Sequence, residues 1–148
     1  MQWDVAEGEE ITICYIEPSM VRDARQRQLQ RRWGFTCCCI ACQKQGPDLA
    51  RSDWQRERIA VLRRCLLLGT LPATEIHMDP SYMPQELLHL MEAEGIGDYY
   101  GLAYRIIKQQ KVALGLVDDA REWDLLEQRA DLLLHGLNSE EEDLGPGG

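Results

Sequence analysis

Four of the chain's six cysteines fall within six positions, at Cys37, Cys38, Cys39 and Cys42, directly after the aromatic pair Trp33 and Phe35. That density is not core packing. Cys37, Cys39 and Cys42 form a C-x-C-x-x-C knuckle, a spacing that lets three thiolates converge on one metal ion. Tetrahedral zinc takes four ligands, so the knuckle borrows a partner from elsewhere. Cys38 lies between two ligands and is expected to point away, as a passive side chain or a spare thiol. Cys14 and Cys65, distant in sequence, read as buried thiols. His77, His89 and His135 lack ligand spacing and read as surface or core histidines.

The elements that must position the knuckle are mostly helical. Ile11–Ile16 is a β-branched and aromatic run after a Gly8-Glu9-Glu10 turn, and predicts a strand. Such a short strand with nothing before it to pair with is not an independent fold, so it reads as the end of a domain whose beginning lies elsewhere. Ser19 is placed to cap a helix running to about Arg32, and Trp33–Gln45 is expected as an irregular loop that a metal orders. Ser52 and Gln55 suggest a capping box for a helix with Trp54, Ile59, Leu62 and Leu66 on its apolar face, stopped by Gly69. Pro84 suits the first turn of the next helix, with Leu87, Leu88, Leu90 and Met91 leading to Gly95. Asp98 is a candidate cap for a helix turning Leu102, Ile106, Ile107 and Leu114 to a core, with Gly115 as its stop. A last helix covers about Asp118 to His135, and Gly136 ends it. The Gly115, Ala120, Trp123 pattern fits one tetratricopeptide-like unit or a plain helical hairpin.

Composition bounds the rest. With 148 residues, 45% hydrophobic and 28% charged, the chain is long enough for one domain or two small ones. A net charge of -9 argues against general nucleic-acid binding. The exception is Arg22, Arg25, Arg27, Arg31 and Arg32, which read as a solvated helix face, while Glu140–Asp143 reads as an acidic disordered tail. No membrane-spanning run or secretory signal is visible, and a reducing compartment makes clustered cysteines metal ligands rather than disulfides. There is no phosphate loop, H-E-x-x-H helix or G-x-S-x-G elbow.

Two segments together carry a resemblance. Gly8-Glu9-Glu10-Ile11-Thr12-Ile13-Cys14-Tyr15 resembles the final motif of SET-domain protein-lysine methyltransferases. Trp33-Gly34-Phe35-Thr36 with the cysteine knuckle resembles the post-SET zinc segment that follows it, most like the SET–MYND branch and its fungal relatives. The likeness covers residues 5–43 closely and the helical remainder loosely.

It implies that Tyr15 is the catalytic tyrosine at the methyl-transfer channel, where positioning and a dry environment carry the chemistry. Without the flanking motif, Tyr15 would be an ordinary strand tyrosine. The likeness makes Trp33 and Phe35 the wall of the lysine channel and contacts for S-adenosylmethionine, a role compatible with simple packing over the loop. It makes Cys37, Cys39 and Cys42 ligands of a structural zinc. The family's Asn-His-Ser-Cys segment, which supplies the fourth ligand, and its glycine-containing cofactor motif do not occur in this sequence.

The expected organisation is mainly α. Residues 1–18 form the SET-domain β remnant, 19–45 the connecting helix and post-SET zinc segment, 46–138 a TPR-like α-helical domain, and 139–148 the acidic tail. The function implied is that of the C-terminal fragment of an S-adenosylmethionine-dependent protein-lysine methyltransferase, inactive as this truncated chain. The substrate would be a histone or other protein lysine, in the nucleus or cytoplasm, with no direct nucleic-acid or membrane partner. The alternative is a helical interaction module that binds a protein partner through its C-terminal helices, with a vestigial SET and zinc segment.

Overall fold

A computed structural model describes residues 16–97 and 99–135, with side chains as far as Leu132. The predicted strand's residues 11–15, with Cys14 and Tyr15, lie outside them, as do Asp98, Gly136 and the acidic tail. The described chain is helical and contains no strand. It divides into two units, one ending at Gly97 and the other beginning at Asp98.

The first unit holds α1 (Arg22–Trp33), α2 (Ile40–Gln43), α3 (Gly46–Leu68) and α4 (Tyr82–Glu94). Its core is the seam between α3 and α4, where Ile59, Leu62, Leu87 and Met91 are fully buried and Cys65, Met83, Leu90 and Ile96 nearly so. Each large apolar side chain removed from water there contributes about 1.5–3 kcal/mol before chain entropy is counted. Gly69 and Gly95 stop these two helices as expected, and Cys65 is a buried thiol as read.

Three local expectations are corrected. Ser19 does not cap α1; its hydroxyl donates to Glu17 Oε1 at 2.9 Å, and the first N–H of the helix, that of Arg22, donates instead to Asp53 Oδ1 at 2.7 Å. The cap thus comes from α3, across the fold. Ser52 opens no capping box, because α3 already starts at Gly46 and Ser52 is buried inside it. Trp54 is 58% exposed, since the inward stripe of α3 is Ser52, Arg56, Ile59, Leu62 and Cys65. The first two turns of that stripe, Ser52 and Arg56, are polar.

The loop from α3 to α4 is held by one guanidinium. Arg58 donates to Glu75 at 2.7 and 2.9 Å and to Glu86 at 2.9 and 2.8 Å, and Tyr82 also bonds to Glu75. Hydrogen bonds from Arg58 first, then Tyr82, hold the Glu75 carboxyl below its ordinary value.

The second unit is a helical hairpin of α5 (Tyr100–Ala113) and α6 (Val117–His135). Its ion pairs run in opposite directions along the two helices: Lys111 with Asp119, Lys108 with Asp124 and Glu127, Arg105 with Glu127 and Asp131. Descending numbers on α5 meet ascending numbers on α6, so the pair is antiparallel. Between them Gly101, Ala103, Ile107, Ala120 and Ala130 are buried, and the Tyr104 ring lies 5.8 Å from that of Trp123. Leu114 is not a core residue; it sits in the connecting turn, 73% exposed. No helix among the described residues is long and apolar enough to cross a membrane.

Candidate metal centre

The knuckle is built between two helix ends. α1 stops at Gly34, whose φ of +73° is a left-handed conformation that a side chain would strain. The chain then runs without regular structure through Phe35–Cys38, and α2 intervenes from Ile40, so the irregular loop does not continue unbroken to Gln45. The carbonyl of Cys39 accepts from the N–H groups of Cys42 at 2.9 Å and Gln43 at 3.0 Å, which curls Cys42 back over Cys39.

The result brings the Sγ atoms of Cys37, Cys39 and Cys42 within 4.8 Å of one another. Zinc–sulfur bonds of about 2.3 Å place tetrahedral sulfurs about 3.8 Å apart, so the triad needs only a small contraction to fit. Cys42 is buried, Cys37 half-buried and Cys39 exposed. Cys38 is exposed and outside the triad, as the spacing implied. The donor set fits a structural zinc, which would cross-link the α1 side of the loop to α2 and leave a fourth position for another ligand.

Without metal the thiols share protons unequally. Cys37 is pushed up to about 11, by burial first and then by its interactions with the Cys39 and Cys42 thiols, against a lowering contribution from a backbone hydrogen bond at Cys39. Cys39 feels the same raising effect of partial burial. Hydrogen bonds from the Cys42 backbone, the thiols of Cys37 and Cys42 and the Ala41 backbone outweigh it, so its value falls below that of a free thiol.

Around the sulfurs stands a frame of side chains that sequence reasoning missed. The Gln26 amide brackets Cys37, donating from Nε2 to its carbonyl at 2.7 Å and accepting its N–H on Oε1 at 2.9 Å. Arg25, read as part of a solvated face, is 6% exposed; its guanidinium reaches Cys42 Sγ at 3.7 Å and the Met20 carbonyl. Arg27, Arg31 and Arg32 do face solvent.

Behind Arg25 lies Arg56, 4% exposed, which donates to Glu94 Oε2 at 2.8 Å and to the Pro18 carbonyl. The same carboxylate, 1% exposed, accepts from Ser52 Oγ at 2.7 Å and Lys44 Nζ at 3.1 Å. Burial, then the neighbouring Arg25 charge, holds Arg56 below its ordinary value, with Glu94 opposing. These bonds explain the polar turns of the α3 stripe. The only signal in the sequence was arginine at helical spacing from an apolar position, Arg25 with Leu29 and Arg56 with Ile59.

Of the other predicted residues, Trp33 and Phe35 flank the loop at 42% and 41% exposure, with Arg32 5.9 Å from the Trp33 ring. Tyr15 lies outside the described residues. The turn that follows it is nevertheless anchored: Glu17 pairs with Arg63 of α3 at 3.1 Å, and Arg56 holds the Pro18 carbonyl. His77 and His89 are exposed.

No protein-family model matches the chain, and no solved structure does. Curated proteins do, over short segments. The chain is 55% identical over 40 residues to histone-lysine N-methyltransferase ATXR4 of Arabidopsis thaliana, covering 27% of this chain and 12% of that protein. It is 42% identical over 45 residues to histone-lysine N-methyltransferase SMYD3 of Homo sapiens, covering 30% and 10%. It is 46% identical over 39 residues to histone-lysine N-methyltransferase SET5 of Candida albicans, covering 26% and 8%. The chain thus spans about a tenth of the length of these relatives. Over these segments the chain is similar to histone-lysine methyltransferases of a SET/SMYD-like family.

Proposed function

We propose that the chain is the C-terminal part of a SET-type protein-lysine methyltransferase: last catalytic strand, post-SET zinc segment and helical body. The observation that carries this reading is the convergence of Cys37, Cys39 and Cys42 immediately after Trp33 and Phe35, in a chain that matches curated histone-lysine methyltransferases. In this reading the zinc is structural and fixes the loop bearing the two aromatics. Trp33 and Phe35 contact S-adenosylmethionine and wall the lysine channel, and Tyr15 orients the amine that attacks the methyl group. The substrate is a histone or other protein lysine in the nucleus or cytoplasm.

By itself the chain transfers no methyl group, because its sequence holds neither the Asn-His-Ser-Cys segment nor the glycine-containing cofactor motif. The test is a methyl-transfer assay with labelled S-adenosylmethionine and mixed histones. The chain is assayed alone and joined to a SET segment bearing those two motifs. We expect label in lysine only in the joined protein, and its loss in Tyr15→Phe. Transfer by the chain alone would overturn the inactivity; no transfer by a folded, zinc-loaded joined protein would overturn the enzyme reading.

A second reading rests on a different observation. Val112, Leu114, Leu116 and Val117 are exposed together at the α5–α6 turn, an apolar knob suited to a protein partner. In that reading the hairpin belongs to a TPR-like interaction module. Pull-down by the chain with and without Leu114→Glu and Leu116→Glu tests it; identical capture would count against it.

A further inference from the structure

Arg25 reaches the Cys42 sulfur, and Arg56 and Lys44 meet on the Glu94 carboxylate, three cationic groups in all. Among the described residues, Glu94 is the only carboxylate bonded to any of them. Two of the cations, Arg25 and Arg56, are almost fully buried, and a buried charge left without a counter-charge is costly. The shortfall has a chemical complement next door. Three thiolates on one divalent ion carry one net negative charge, and the sulfur of Cys42 already lies 3.7 Å from the Arg25 guanidinium. That same guanidinium is fixed at its other end by the Met20 carbonyl, so it reaches Cys42 from a set direction.

We propose that Arg25 is a positioning residue for the metal: backed by Arg56, it supplies the counter-charge for an anionic zinc–thiolate centre and sets the place of the Cys42 sulfur. The inference rests on reading Cys37, Cys39 and Cys42 as a metal site. It sets the two buried guanidiniums, Arg25 and Arg56, against two negative charges, that of Glu94 and that of the metal centre, with Lys44 partly exposed. Arg56 lies within reach of the Arg25 charge and donates to Glu94 at 2.8 Å, while Arg27, exposed on the same helix as Arg25, has no part in it.

The test is zinc affinity of the full chain, read by competition with a chromophoric chelator, with helix content followed by circular dichroism. Arg25→Met is expected to weaken zinc binding 10- to 100-fold, the range typical of outer partners of metal ligands. Arg25→Lys, which keeps the charge, is expected to recover part of that loss, and Arg27→Met to leave affinity unchanged. If Arg25→Met loses its helix signal, Arg25→Lys carries the test: a several-fold loss at full helix content supports the proposal, and undiminished affinity overturns it. A folded Arg25→Met that binds zinc within two-fold of wild type also overturns it, as does an Arg25→Lys no better than Arg25→Met. Wild-type chain that takes up no zinc would instead sink the metal reading itself, and this inference with it.

Discussion

The side-chain amide of Gln26 spends both its donor and its acceptor on the backbone of one residue, Cys37, at 2.7 and 2.9 Å. A helix residue thereby fixes the first member of the thiol triad by its main chain, leaving the sulfur free to turn toward a metal. Replacing Gln26 by Ala removes both bonds and leaves the Cys37 N–H and carbonyl to water. At about 1 kcal/mol per bond the loss is about 2 kcal/mol at most. Gln26→Glu keeps the size but sets a carboxylate oxygen against the Cys37 carbonyl, and is expected to be worse than Ala. Denaturant unfolding of the metal-loaded chain checks both, with the order wild type, Ala, Glu.

The Glu94 carboxylate is expected to be the most sensitive single charge in the first unit. Glu94→Ala leaves Arg56 and Lys44 without their shared carboxylate, and takes from the Ser52 hydroxyl the acceptor of its proton, with Lys44 Nζ at 3.2 Å as its remaining partner. Breaking a buried pair by removing one member costs about 3–5 kcal/mol. The exposed Asp48–Arg51 pair of the same region is the control, since its loss costs about 1 kcal/mol or less. A thermal melt in which Glu94→Ala and Asp48→Ala shift equally would show that the buried network is not what holds α3 to α4.

The triad predicts an asymmetry among adjacent cysteines. Cys39→Ser is expected to abolish stable zinc uptake, and Cys38→Ser to leave it at one ion per chain, as native mass spectrometry would read. The geometry carries this: the Cys39 sulfur lies within 4.8 Å of both partners and Cys38 is outside the group. Equal loss in the two variants would mean that the cysteines bind in a different register.

That asymmetry was legible in the residue order, because C-x-C-x-x-C spacing is itself a ligand geometry. The helices were legible too where apolar side chains recur with glycine at the end, as from Ile59 to Gly69 and Leu87 to Gly95. What the order could not show was partnership across the chain. Asp53 caps a helix that begins at Arg22, and Glu94 binds Arg56 and Lys44, residues separated by tens of positions. Nothing local distinguishes Arg25, which turns inward, from Arg27, which does not, until the fold supplies Cys42 and Met20 as partners. Trp54 failed for the complementary reason: its size suggested a core, but the inward stripe there belongs to polar groups that reach Glu94.

In the second unit, Glu127 makes stability depend on acid. Burial raises its carboxyl, but hydrogen bonds and charge from Lys108 and Arg105 outweigh it, so its folded value lies below the ordinary 4.5. The folded form therefore binds this proton later than the unfolded form. The stabilisation is fully present above the ordinary carboxylate value and is lost as pH falls through the depressed one. Glu127→Gln should cost about 1 kcal/mol near neutrality, since both cations are partly exposed. The gap from wild type should then close as pH drops below 4.5. Melting curves of the two proteins from pH 7 to pH 3 check this, and a gap independent of pH would contradict it.

Gly101 tests how closely α5 and α6 approach. A Cβ built there would lie 2.9 Å from Asp131 Oδ1 and 3.9 Å from the Ala130 Cβ. The first contact is the far end of a rotatable side chain that is 44% exposed, and its pairing with Arg105 is 3.9 Å long. Asp131 can therefore swing outward at little cost, and the second contact is ordinary packing. Against that stands the helix propensity of alanine over glycine, about 1 kcal/mol in a helix interior and less at Gly101, the second residue of α5. Gly101→Ala is thus expected to raise the stability of the hairpin by about 0.5 kcal/mol, whereas Gly101→Leu, too large for the space beside Ala130, should lower it. Thermal unfolding of the two variants decides the point: a destabilised Gly101→Ala would show that the Asp131 carboxylate is held in place by the fold.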